Sequence, residues 1–331
     1  MDIRSLGYVG FGAPDPQQWL TYATEVLGLM PARACAGEDW GVPRIGPGPA
    51  SGGSGVAPDG SVYLKMDEQQ WRIAIHPSEQ TRGLMYLGLE VESGRALAEA
   101  IQELQDAGVD ARMGSQEQAL NRSVSGIGYT QDPSGNPIEL YYGPIFDRNF
   151  QSPLGIEFVA GALGLGHINL LVRDFQESND FYTQLLGFRL TDYIDFGGSN
   201  SANFYHCNSR HHSIGLIKIG EAIGVHHMML EVANVDMVGA CLERVLDAGI
   251  NITSTLGRHV NDRMLSFYMS SPFGFEVEIG CDPILLDDQW TANKFVEGDI
   301  WGHKGTDPKT IAKNLEKLNT GSGILDATQG S

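Results

Sequence analysis

Apolar and polar positions alternate along most of this chain in short runs, and longer amphipathic stretches separate them. Period two marks strands at 4–11, 61–66, 71–76 and 84–91, then near 109–113, 125–130 and 137–142. Pro14-Asp15-Pro16 suits a helix start and Gly28 a C-terminal cap. A second helix is predicted near 94–106. The pattern then returns: strand 165–172, helix 175–186 and strands near 188–195, 202–206 and 213–219. Strand 226–232, helix 235–247 and strands near 250–254, 264–269 and 275–280 complete it.

The recurrence extends to residue identity. Leu87-Gly88-Leu89-Glu90-Val91 is echoed by Met228-Met229-Leu230-Glu231-Val232. A helical stretch ending in Asp-Ala-Gly follows each copy, at 106–108 and 247–249. Tyr129-Thr130-Gln131-Asp132-Pro133-Ser134-Gly135 parallels Tyr268-Met269-Ser270-Ser271-Pro272-Phe273-Gly274, and Leu6-Gly7-Tyr8-Val9 parallels Leu165-Gly166-His167-Ile168. Matches in one order mean duplication. Each unit holds one helix and several strands, so the expected class is α+β, with four βαβββ modules paired into two similar barrel-like domains rather than a doubly wound sheet. The boundaries expected are 1–145 for a non-catalytic duplicate, 146–160 for a linker, 161–302 for a catalytic domain and 303–331 for a tail. Residues 37–60, rich in Gly, Pro and Ser, read as a long loop that is either mobile or covers something. The tail carries a short amphipathic stretch at 309–318 and is expected to fray.

Composition narrows the function. The chain has 331 residues, 22 basic against 41 acidic, for a formal charge of −19. Such an excess argues against nucleic acid, which needs a basic surface to release counterions. No run of ~18 apolar residues predicts a membrane span, and the first residues lack a signal-peptide pattern. Four cysteines without a CxxC motif fit a reduced, cytoplasmic compartment.

Of nine histidines, only His76 lies in the first half. A duplicated protein that keeps its histidines in one copy places its chemistry there. His167 and His227 stand where the first copy has Tyr8 and Tyr86. Strand alternation puts His227 with Met229 on one face and His226 with Met228 on the other, so neighbouring histidines are not expected to share the cup. The same holds for His211 and His212. Glu276 and Glu278 share a face; the repeat favours Glu278, opposite Glu139, and leaves Glu276 as a rim charge. Two histidines and one carboxylate make a facial triad suited to non-heme Fe(II), whereas a structural zinc site wants four closed ligands.

The stretch Gly257-Arg258-His259-Val260-Asn261-Asp262, with Ser266-Phe267-Tyr268, Pro272, Gly274 and Glu278, resembles the signature of type I extradiol ring-cleaving dioxygenases of the vicinal-oxygen-chelate superfamily. The runs 164–167, 206–212, 225–232 and 301–304 resemble the same family, whose fold of paired βαβββ units agrees with the repeat. The resemblance implies cleavage of a catechol, bicyclic or polycyclic, by dioxygen in aromatic-hydrocarbon catabolism. It implies Fe(II), with Mn(II) the lesser alternative, bound by His167, His227 and Glu278. His212 would face oxygen, His259 and Tyr268 would hold the substrate oxygens, Asp262 would partner His259, and Phe204 would shape the pocket. Asn169 departs from the family's usual aliphatic residue and would either suit a substrate with a polar substituent or face water. A homo-oligomer, commonly an octamer, is implied by the family alone. Two rival classes are a glyoxalase-like isomerase and a metal-free aromatic-binding protein.

Overall fold

In the computed structural model the described residues are 1–34, 53–79, 83–197 and 201–305. The first half runs β1 (Ile3–Ala13), α1 (Pro16–Tyr22), β2 (Met30–Pro31), β3 (Val62–Lys65), β4 (Ile73–Pro77), β5 (Gly83–Val91), α2 (Gly94–Asp106), β6 (Arg112–Met113), α3 (Gln116–Asn121), β7 (Val124–Gln131) and β8 (Pro137–Pro144). The second half runs β9 (His167–Leu171), α4 (Phe175–Asp180), β10 (Arg189–Asp195), β11 (Ser201–His206), β12 (Ile214–Lys218), β13 (Gly224–Glu231) and α5 (Val235–Asp247). It ends with β14 (Ile252–His259), β15 (Leu265–Ser270), β16 (Glu276–Cys281), β17 (Asn293–Phe295) and β18 (Asp299–Trp301).

Helices start where a side chain can take an orphan backbone N–H. Asp15, Ser93, Asp174 and Asn234 each accept from the first turn. The apolar stripe of α2 buries Leu97, Ala100, Ile101 and Leu104, and that of α5 buries Val238, Cys241 and Val245. Both α1 and α4 pass into a π turn, at 23–27 and 181–185, which accounts for the longer helices expected there.

Among the described residues the strands form two sheets in the orders β2-β3-β4-β1-β5-β8-β7-β6 and β17-β10-β11-β12-β9-β13-β16-β15-β14-β18. Each module's first strand lies parallel to its last, as β1 with β4, β5 with β8, β9 with β12 and β13 with β16. First strands of paired modules then meet antiparallel at the middle of each sheet. The architecture is α+β with two barrel-like halves, as the repeat predicts. Register makes the duplication explicit: Tyr8 faces Gly88 and Gly10 faces Tyr86, while His167 faces Met229 and Asn169 faces His227.

One apolar core runs through both halves. Phe11 of β1 stacks on Phe275, ring centroids 4.3 Å apart, and the Leu165 N–H donates to the Leu6 carbonyl at 2.9 Å. The inner face of the first half carries Tyr8, Trp71, Tyr86 and Tyr141, with Trp71 and Tyr86 on the wall of an open pocket. That of the second half keeps its histidines and a cavity.

Alternation did not reveal α3, whose six residues start with a capping box between Ser115 and Gln118, nor β17 and β18, three residues each. Elements this short carry too few residues for periodicity to register. Of the predicted 37–60 loop, residues 53–60 are described and bring Val56 to bridge Val62; residues 35–52 lie outside the described residues. So does the 309–318 stretch. Among the described residues Cys207, Cys241 and Cys281 are unbridged, and no helix is long and apolar enough to cross a membrane.

Candidate metal centre and cavity

Three adjacent central strands of the second sheet carry one cluster: His167 begins β9, His227 lies in β13, and Glu278 in β16. His167 Nε2 and His227 Nε2 are 3.1 Å apart, and they lie 3.3 and 3.4 Å from Glu278 Oε2. Donors about 2.1 Å from one small cation at right angles would be roughly 3.0 Å from each other, by bond lengths typical of imidazole and carboxylate ligands. All three edges match that mutually adjacent geometry, which defines a facial set.

The electrostatics ask for a cation as well. All three residues are buried, and neither oxygen of Glu278 has a well-aligned hydrogen bond. Burial alone would raise this carboxyl, yet the imidazoles of His167, His227 and His259 around it hold it well below the usual carboxylate range. Burial pushes His167 down to about 4, so it stands neutral with a lone pair to give. A divalent ion fits this donor set.

On the β15 side, Tyr268 Oη is 2.8 Å from His259 Nε2, and His259 Nδ1 is 2.8 Å from Asp299 Oδ1. Asp299 also meets His303 Nδ1 at 2.6 Å. Burial opposes a charge on His259, but Asp299 and Glu278 outweigh it and raise its pKa well above the ordinary value. Asp299 is held down to about 2, since His259 and His303 overcome the effect of its burial. The carboxylate that partners His259 is therefore Asp299, not Asp262. Buried Asp262 instead accepts from the Met264 N–H at 2.9 Å, and its carboxylate lies beside His211 and His212.

On the β12 side, His212 stacks against His167 with centroids 3.9 Å apart and meets the ring of Phe204 edge-on. Burial keeps its pKa well below the ordinary value, and its Nε2 has no partner among the described residues. Its Nδ1 is 3.1 Å from His211 Nδ1, and His211 Nε2 is 3.0 Å from Asp192 Oδ2, outside good hydrogen-bond alignment. His211 thus turns away from the cup, as alternation predicts.

His226 does not. A register shift between Val225 and His227 breaks the alternation of β13, and His226 lines the same cavity as His227. Its Nδ1 is 2.6 Å from His227 Nδ1, and burial lowers its pKa to about 3. Glu276 is half-buried, with burial raising its carboxyl to about 7, so it is less of a rim charge than expected.

A cavity of about 400 Å³ opens over the cluster, within the size range of small-molecule sites. His167, His227, Glu278, His212, His259 and Tyr268 all line it, as do Asn169, Asp262 and Phe204. Ile194, Ala202 and Ile217 pack with Phe204 into an apolar wall. The sequence reading missed Asp299 and the His211–Asp192 pair. Asp299 sits in a three-residue strand far along the chain from His259, and only its short distance to Trp301-Gly302-His303 offered a hint.

The sequence profile described as Glyoxalase/Bleomycin resistance protein/Dioxygenase superfamily matches residues 164–279, the segment that carries the three clustered donors. The chain is 37% identical over 321 residues to biphenyl-2,3-diol 1,2-dioxygenase of Paraburkholderia xenovorans (strain LB400), covering 95% of this chain and 99% of that protein. It is 37% identical over 315 residues to the iron-dependent extradiol dioxygenase of Rhodococcus jostii (strain RHA1), covering 92% and 97%. The crystal structure of a halotolerant catechol dioxygenase superposes with a TM-score of 0.85 at 31% identity, covering 98% and 99%. Fold and site thus define a vicinal-oxygen-chelate protein. Within that superfamily, the chain belongs to the extradiol dioxygenases and is an oxidoreductase.

Proposed function

We propose that this enzyme opens a catechol ring beside its two hydroxyls, using dioxygen and Fe(II) held by His167, His227 and Glu278, with Mn(II) the lesser alternative. The observation that carries the reading is the set of three mutually adjacent donors, one of them a buried carboxylate without a well-aligned hydrogen bond, at the floor of a cavity with an apolar wall. The apolar wall favours a bicyclic diol such as 2,3-dihydroxybiphenyl, the kind of substrate named for the relative from Paraburkholderia xenovorans.

Bound Fe(II) would acidify a catechol hydroxyl and relay electrons from ring to dioxygen. The protein's own groups do the rest. His259 and Tyr268 hold the diol's oxygens and the proton between them, and Asp299 fixes the His259 ring with Nε2 facing the site. His212, packed against the metal-binding His167, faces dioxygen; its neutral ring takes up the proton that the diol sheds, stabilises charge as it develops and then returns that proton. Phe204 and its apolar neighbours keep water away. Residues 161–302 carry the chemistry and 1–145 serve as scaffold, joined by 146–160. The working form is a cytoplasmic homo-oligomer, as large as an octamer.

The test is anaerobic reconstitution with Fe(II), addition of 2,3-dihydroxybiphenyl and then admission of air. Oxygen uptake with a yellow ring-opened product supports the proposal. Tight binding of the diol without turnover would make the protein an aromatic-binding member and defeat it.

A further inference from the structure

The first half has a basin where the second half has its cavity, and the register matches their walls. Tyr63 faces Ala74 as Phe204 faces Gly215, and Tyr129 faces Glu139 as Tyr268 faces Glu278. Trp71 stands two residues before Ile73, the partner of Val9; His212 stands two before Ile214, the partner of Ile168. The basin encloses about 1340 Å³. Tyr63, Trp71, Tyr86 and Tyr129 line it, so a flat arene can pair with ring faces and edges on several sides. Its carboxylate is no open ligand, because Arg122 grips Glu139 through two nitrogens.

Charge and hydrogen bonding narrow the occupant. The two arginines on the walls are already spent, Arg33 on Asp147 at 2.7 Å and Arg122 on Glu139 at 2.9 Å. An anion would find neither of them free. A cation fares no better, since the guanidinium groups of Arg122 and Arg112 lie 4.1 and 4.4 Å over the rings of Tyr86 and Tyr129. What the walls leave unmet is neutral chemistry. Gln70 is 3% exposed; its Nε2 donates to the Arg33 carbonyl at 2.9 Å, and its Oε1 has no partner among the described residues. Arg33 Nε, also buried, has none either. Buried polar groups left unpaired are costly, and both residues line the basin. A hydroxyl can donate to the first and accept from the second.

We propose that this basin is a second ligand site, which binds a neutral aromatic alcohol, a phenol or diol of one or two rings, and leaves it unchanged. The ring lies among the four aromatic side chains and a hydroxyl donates to Gln70 Oε1. Tyr8 and Tyr86 stand where the second half has His167 and His227, so binding here needs no metal and one hydroxyl suffices. The site goes beyond the function proposed above: one chain would hold an arene in each half and transform it in one.

The test is equilibrium dialysis of the iron-loaded protein without air, with 2,3-dihydroxybiphenyl as the probe. Wild type should bind two diols per chain. Gln70→Met should weaken one of the two about tenfold and Trp71→Leu the same one about threefold or more, while the other stays within about twofold. Denaturant titration shows which variants are folded, and either one alone suffices. In wild type, 2-hydroxybiphenyl should compete for the Gln70-dependent site at least about tenfold better than biphenyl-2-carboxylate. Diol binding that responds to neither variant would overturn the site, and stronger competition by the carboxylate would overturn its ligand class. Turnover is a separate matter: if wild type consumes no oxygen with the diol, the proposed function fails, while Gln70-dependent binding still upholds this site.

Discussion

Arg122 and Glu139 form a bidentate pair in the first half, with Nε 2.9 Å from Oε2 and Nη2 3.0 Å from Oε1. Glu139 is the counterpart of Glu278, as Gly88 pairs with it just as Met229 pairs with Glu278. Tyr8, counterpart of His167, bonds the same carboxylate at 2.8 Å, and the guanidinium lies 4.1 Å over the ring of Tyr86, counterpart of His227. A fixed organic cation thus neutralises in one copy the counterpart of the carboxylate proposed to bind a metal in the other. Arg122→Leu is expected to cost about 3 kcal/mol of stability by stranding Glu139, while leaving bound iron unchanged. Denaturant titration and iron analysis check both halves of this.

His227→Ala should lose iron and His226→Ala should keep it, although both rings line the cavity. Of these two, His227 is the one that points a nitrogen at Glu278, at 3.4 Å. Elemental analysis decides, and full iron in His227→Ala would reverse the assignment.

His212→Ala should retain iron and bind the diol anaerobically, yet turn over about a hundredfold or more slowly, the range for loss of a general acid–base group. Normal turnover would remove His212 from the chemistry.

Asp299→Asn should keep iron but lose about tenfold to a hundredfold in kcat/KM. An amide cannot hold an imidazolium as a carboxylate does, so His259 should give up its proton at lower pH than in wild type. The alkaline limb of the pH–rate profile should then move down, and an unmoved limb would count against the pairing.

His76 bridges Ser61 Oγ at 2.8 Å and Tyr86 Oη at 2.6 Å, and burial, followed by the charge of Arg122, lowers its pKa to about 4. Folded, it stays neutral where the unfolded chain takes up a proton. Its contribution to stability is therefore whole above pH ~6.5 and lost as pH falls toward 4. The slope is at most about 1.4 kcal/mol per pH unit for one proton. His76→Gln should flatten the pH dependence of the denaturation midpoint over that window, and an unchanged slope would refute this.

Much of this protein could be read from the order of its residues. Duplication, the four modules and the strands bearing His167, His227 and Glu278 follow from periodicity and self-similarity, because strand residues two apart must share a face and repeats must fold alike. Glu278 over Glu276 also came from the repeat, through Glu139. Only the tertiary structure decided what depends on departures from regularity or on long-range approach. The bulge in β13 brings His226 into the cavity against alternation, since one inserted residue shifts the phase of all that precede it. Asp299 reaches His259 because a three-residue strand happens to pair at the edge of the sheet, and no local pattern encodes such a meeting. The approach of Arg122 to Glu139 and the Asn169 Oδ1 left without a partner among the described residues are likewise facts of distance, invisible until the chain has closed on itself.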